Sequence, residues 1–186
     1  TVANADVLFV SVRRRTLPEA QLKFVREFVA SGKPVVGIRT ASHAFCLREK
    51  PAPEGLADWP EFDKQVFGGN YSNHHKAGPK TAITVADLNK DLKQALFNDV
   101  DTSQLVGNGS LYVVSPLAET ADTILTGTIP SQSPEPVAWF NRRSDGGISF
   151  YTSLGHIDDF QNVHFATFLK NALKYIAKNK EAANEK

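Results

Sequence analysis

Apolar positions along the chain alternate between short unbroken runs and stretches with helical spacing. Residues 5–12 (ADVLFVSV) form one such run, too short for a buried helix and rich in valine, which predicts a strand covered on both faces. After Arg13, Arg14 and Arg15, Thr16 and Glu19 stand in capping-box spacing. Leu22, Val25, Phe28 and Val29 then make one stripe that predicts a helix ending at Gly32. Residues 34–38 (PVVGI) predict a second buried strand. Strand, helix, strand is the signature of a right-handed parallel crossover and of α/β architecture with a mostly parallel sheet flanked by helices.

Residues 39–67 read as helical or irregular: a short helix over 41–47, a loop over 50–53 and an amphipathic turn over 59–66, broken by Gly68, Gly69 and Asn70. Further strands are predicted at 81–85, 111–114, 123–125, 136–140 and 148–151. The last two are joined through Ser144, Asp145, Gly146 and Gly147, a strong turn signal for a C-terminal antiparallel hairpin. A helix over 162–178 puts Phe165, Phe168, Leu169, Leu173 and Ile176 on one face, and residues 179–186 make a charged tail expected to fray.

Composition narrows the function classes. With 186 residues and 41% hydrophobic positions, the chain fits one domain over residues 1–178. Lys and Arg number 21 against 20 Asp and Glu, a net charge of +1, which removes the broad electrostatic case for nucleic acid or an anionic membrane. No apolar run approaches the roughly 18 to 20 residues that cross a bilayer. Cys46 stands alone, excluding an internal disulfide framework. The chain begins at Thr1 and contains no methionine, so an upstream segment, such as a signal peptide, is expected, and a periplasmic or exported location is favoured over the cytoplasm.

In an open α/β sheet, ligands bind beyond the carboxyl ends of the parallel strands. That criterion selects Arg13 to Arg15, Arg39 and His43 after the second strand, Tyr112, and Tyr151 through His156. The loop containing Asn70, His74 and His75 adds amides and imidazoles, the two histidines facing opposite ways if the backbone is extended. The other reading of each histidine is a loop anchor. Trp59, Tyr71, Tyr112 and Trp139 are candidate sugar-stacking rings or core residues.

Several chemistries lack their motif. There is no H-x-H, no H-E-x-x-H and no cysteine pair, so no cofactor is expected; a divalent metal would need His43, His74 or His75, and His156 to converge. No glycine-rich phosphate loop is present, and residues 107–110 read as a turn. The strand-to-helix turn carries Arg39, Thr40 and Ala41 where a nucleophilic Ser or Cys would stand, and Cys46 reads as a small buried thiol.

Residues 37–45 (GIRTASHAF), 68–71 (GGNY) with His74 and His75, 136–139 (PVAW) and 150–156 (FYTSLGH) together resemble the trehalose-utilisation (ThuA-like) family, in particular its planctomycete-type bacterial branch. The resemblance implies a flavodoxin-like fold of the class I glutamine-amidotransferase type that lacks the Cys-His-Glu machinery. It also implies one more βα unit before residue 6, absent from this sequence. It associates the chain with carbohydrate, and its polar positions here are His43, His74 or His75, Tyr112, Tyr151 and His156. Arg39 departs from the histidine expected near that turn in other branches.

These readings converge on a crevice that binds a sugar or keto-sugar, with His43 and His156 as acid and base. Arg39, Asn70, His74, His75, Tyr112 and Tyr151 are the expected substrate contacts. The alternative is a non-catalytic binding or structural module on the same scaffold. The expected partner is a small carbohydrate, with a homo-oligomer left open.

Overall fold

A computed structural model describes residues 4–178; the charged tail lies outside the described residues. Among them, seven strands form one sheet in the order β1 (Leu8–Val10), β3 (Val35–Ile38), β11 (Ile148–Thr152), β10 (Glu135–Arg142), β9 (Ala121–Thr128), β6 (Thr81–Val85) and β7 (Val106–Gly107). Two ribbons stand apart: β2 (Leu17–Pro18) with β4 (Leu56–Ala57), and β5 (Asn73–His74) with β8 (Tyr112–Val113). The helices are α1 (Glu19–Ala30), α2 (Lys90–Phe97) and α3 (Val163–Lys178).

The α/β, flavodoxin-like architecture is present, and its sheet is mixed. β3 runs parallel to β1 and β11, whereas the β11–β10–β9–β6–β7 part is antiparallel, so antiparallel pairing extends well beyond the expected hairpin. The parallel strand β3 is covered on both faces, as its unbroken apolar sequence predicts, whereas β6 and β9 toward the other edge keep exposed polar positions. Alternation sends Val35, Trp139 and Tyr151 into the core beneath α1, and Val36, Phe140 and Phe150 into the core beneath α2 and α3. The stripe Leu22, Val25, Phe28 and Val29 is buried as its spacing predicts, and so are Phe165, Phe168, Leu169 and Ile176 on α3.

Local readings differ in four places. The Thr16/Glu19 capping box does not form: Leu17 and Pro18 pair with β4, and Pro18 itself caps α1 without a side-chain bond. The predicted helix over 41–47 is instead a 3-10 turn, Arg39–His43. The strand expected at 111–114 contributes only Tyr112–Val113, outside the main sheet. Gly107, read as a turn residue, belongs to edge strand β7.

Candidate functional site

Three parallel strands bring their carboxyl ends to one rim of the sheet, and each passes the chain to a polar loop. β1 leads to Arg13 and Arg14, β3 to the turn Arg39–His43, and β11 to Ser153. The Arg14 N–H donates to the His43 carbonyl (3.0 Å) and the Arg15 N–H to that of Ala44 (2.6 Å), stitching the first two loops together. Facing them is the β5–β8 ribbon, in which His74 pairs with Tyr112. Glu135, buried on β10, accepts the N–H groups of Val114 and Ser115 at 3.0 and 2.9 Å and anchors the ribbon to the main sheet.

Between these walls lie two adjoining lobes of about 450 and about 430 Å³, both bordered by Arg14, His43, Arg48 and Tyr71. The His43 ring stacks on Tyr71 with centroids 4.5 Å apart, and Ser42 Oγ lies 3.1 Å from His43 Nδ1. The Tyr71 hydroxyl lies 3.0 Å from His74 Nδ1, and its ring is 4.8 Å from that of Tyr112. The Arg39 guanidinium sits 4.6 Å above the Tyr112 ring and donates to the Ser110 and Ser153 carbonyls at 3.0 and 2.9 Å.

The backbone here is strained. Arg14, Arg39 and Glu49 have φ of 45°, 53° and 52°, in the left-handed region that side chains avoid, at a cost on the order of 1 kcal/mol or more each. Arg39 is held there partly by the Tyr151 hydroxyl, which donates to its carbonyl at 2.5 Å.

Asp63 belongs to the same crevice. It opens a π-turn, Asp63–Phe67, closed by Gly68 at φ 65°. The Tyr71 N–H donates to Asp63 Oδ2 at 2.9 Å, while Oδ1, also buried, has no hydrogen-bond partner among the described residues. A side chain at Gly69 would place its Cβ 2.6 Å from Oδ1, so glycine there makes room for the carboxyl. π-turns and unpaired buried polar atoms both concentrate at functional sites.

Burial, reinforced by Arg14, Arg13, His74 and Arg48, lowers the His43 pKa to about 4. Burial raises that of Asp63 to about 7, against the opposing Tyr71 N–H bond and the Lys64 charge. The imidazole is thus neutral and the carboxyl retains its proton to near neutrality, the reverse of their ordinary order. Burial also pushes the Tyr112 phenol and the Cys46 thiol up.

The structure therefore brings together His43, Arg39, His74 and Tyr112 in one lobe and Asn70 in the other. Tyr151 is fully buried between Phe67 and Trp139 and borders neither lobe, meeting the crevice through the Arg39 carbonyl and the Ser42 hydroxyl. His75 is absent from both linings, consistent with an extended β5 that turns adjacent side chains apart. His156 borders neither lobe: it caps the 3-10 turn Ile157–Gln161, its Nδ1 accepting the Asp158 N–H at 3.3 Å, while Asp159 accepts the His156 N–H. Among the described residues, no group of three or more His, Cys, Asp or Glu side chains is placed to hold a metal, so His43, His74 or His75, and His156 do not converge. No helix among them is long and apolar enough to cross a membrane.

Asp63 and Arg48 are the site residues that sequence reasoning missed. Asp63 sits in an amphipathic stretch where an acid ordinarily faces water, and the adjacent Gly68 and Gly69 are its one sequence signal.

The family model described as trehalose utilisation (ThuA) matches residues 2–176. No functionally curated protein matches the chain in sequence. Among solved structures, a ThuA-like protein from Bacteroides uniformis is 15% identical with a TM-score of 0.67, the match covering 94% of this chain and 70% of that one. A cytoplasmic protein from Salmonella typhimurium is 13% identical with a TM-score of 0.59, over 94% and 73%. A cold-adapted β-galactosidase from Rahnella sp. R3 is 14% identical with a TM-score of 0.57, over 92% of this chain and 23% of that enzyme. At these identities the likeness is one of fold.

Proposed function

We propose a function from one premise: this chain belongs to the trehalose-utilisation (ThuA) family. The domain binds a sugar or keto-sugar in the crevice at the strand ends and moves protons on it. The observation that carries this reading is that one crevice is bordered by both His43 and Asp63, an imidazole free to accept a proton and a carboxyl able to give one. Two titratable groups whose surroundings drive their pKa values apart form an acid and base pair. The ring faces of Tyr71 and Tyr112 suit the apolar face of a pyranose, and the phenol of Tyr112 and guanidinium of Arg39 suit its hydroxyls. His156 keeps a structural role as a cap.

The test is a panel of neutral glycosides and their 3-keto forms, assayed for binding and turnover with the full chain and with His43→Ala and Asp63→Asn. Turnover that vanishes in both variants, with melting temperatures little changed, supports the reading. Binding without turnover would instead favour a non-catalytic binding module on the same scaffold. Binding of no sugar at all overturns it.

A further inference from the structure

Deepening that reading, and resting on it for the sugar itself, we propose that the ligand carries an anionic group, a carboxylate or a phosphate ester, held by Arg13, Arg14, Arg39 and Arg48. These four arginines border one lobe of about 450 Å³ with no Asp or Glu beside them, whereas Glu49 and Asp63 border the adjoining lobe that Arg14 and Arg48 share. The whole chain has a net charge of only +1, so this is a local concentration rather than general basicity. Among the described residues, Arg13, Arg14 and Arg48 form no ion pair with any acidic side chain. Like charges gathered around one lobe without an ion-pair partner repel one another, and an anion between them reduces that repulsion while gaining charge-assisted hydrogen bonds.

The arrangement is also built rather than incidental. Arg39 is clamped by two carbonyls and the Tyr112 ring, and Arg14 is held at positive φ with its N–H on the His43 carbonyl. The Arg39 guanidinium is fixed by its side chain and Arg14 by its backbone, and planar guanidinium groups suit the forked oxygens of carboxylate and phosphate. The lobe opens onto His43, so the anion would bind beside the imidazole that the proposed chemistry uses. It would offset the charge of Arg14 and Arg13, which now disfavours the imidazolium, and so raise the His43 pKa.

Calorimetric titration of the full chain with glucose, glucuronate, glucose 6-phosphate and inorganic phosphate tests this, alongside NMR titration of the His43 ring. Glucuronate or glucose 6-phosphate should bind at least about tenfold more tightly than glucose, and whichever does so identifies the anion as carboxylate or phosphate ester. Arg48→Gln, at an exposed position, should reduce that affinity to the level of glucose, Arg13→Gln should do the same, and the bound anion should raise the His43 pKa. Equal affinity for glucose and its anionic forms overturns the anionic ligand and leaves the sugar reading standing. Phosphate binding that depends on Arg48, with no sugar bound, upholds the anion site and overturns the sugar. Binding of no probe overturns both.

Discussion

His43 and Tyr71 stack with ring centroids 4.5 Å apart and planes inclined by 29°, and both rings border both lobes of the crevice. The stack fixes the imidazole plane, and the Tyr71 hydroxyl in turn reaches His74.

Tyr71→Ala should therefore free the His43 ring. Loss of the aromatic pair is expected to cost about 1 kcal/mol of stability and, through misorientation, to reduce turnover about tenfold. Tyr71→Phe keeps the stack and gives up only the contact with His74, so it should retain most activity. Melting curves and steady-state rates compare the two; equal loss in both would mean that the hydroxyl, not the ring, matters.

The acid and base assignment fixes the pH profile. His43 must be neutral and Asp63 protonated, so kcat/KM should rise through an apparent pKa of about 4 and fall through one of about 7. In Asp63→Asn any residual activity should lose the upper limb. A wild-type profile flat from pH 6 to about pH 9 would remove Asp63 from the chemistry.

Stability carries the same signature with opposite signs. Folded Asp63 holds its proton to about pH 7, whereas the unfolded side chain loses it near 3.8, so its contribution is full below 3.8 and lost as pH rises to about 7. Folded His43 titrates near 4 against 6.5 when unfolded, so its contribution is present above 6.5 and lost as pH falls to about 4. Between about pH 5 and pH 8, Asp63→Asn should gain on the order of 1–3 kcal/mol relative to the parent in urea denaturation. A constant difference between the two would contradict a buried protonated carboxyl.

Tyr151→Phe removes one hydroxyl from a fully buried ring and leaves the Arg39 carbonyl without that donor. The expected cost is about 1 kcal/mol, or roughly 2–4 °C in melting temperature. Weaker binding should accompany it, because the left-handed Arg39 backbone loses its support. Unchanged affinity would separate Tyr151 from the site altogether.

The parts of the site that lie at strand ends are legible in the sequence because buried parallel strands announce themselves as apolar runs, and the residues after such a run must reach the rim. Arg39, His43 and the arginines after β1 are found in this way. Asp63 is not, since its burial depends on a π-turn and two glycines whose joint geometry has no periodic signature. α2 escapes notice because Lys90–Phe97 is only eight residues long and fully buries Leu96 alone, with Leu92 and Phe97 partly covered, too short a stripe to stand out. The cap formed by His156 is invisible for another reason: the residue does come after a strand, but its ring turns back onto the Asp158 N–H.

The aromatic wall of the crevice rests on a ribbon of only two residue pairs, and Glu135 is its latch. A lesion at Glu135, on a strand that borders neither lobe, would let that wall swing and so mimic a catalytic defect. Its origin would be mechanical, and slackened amide protection along Tyr112–Val113 would betray it.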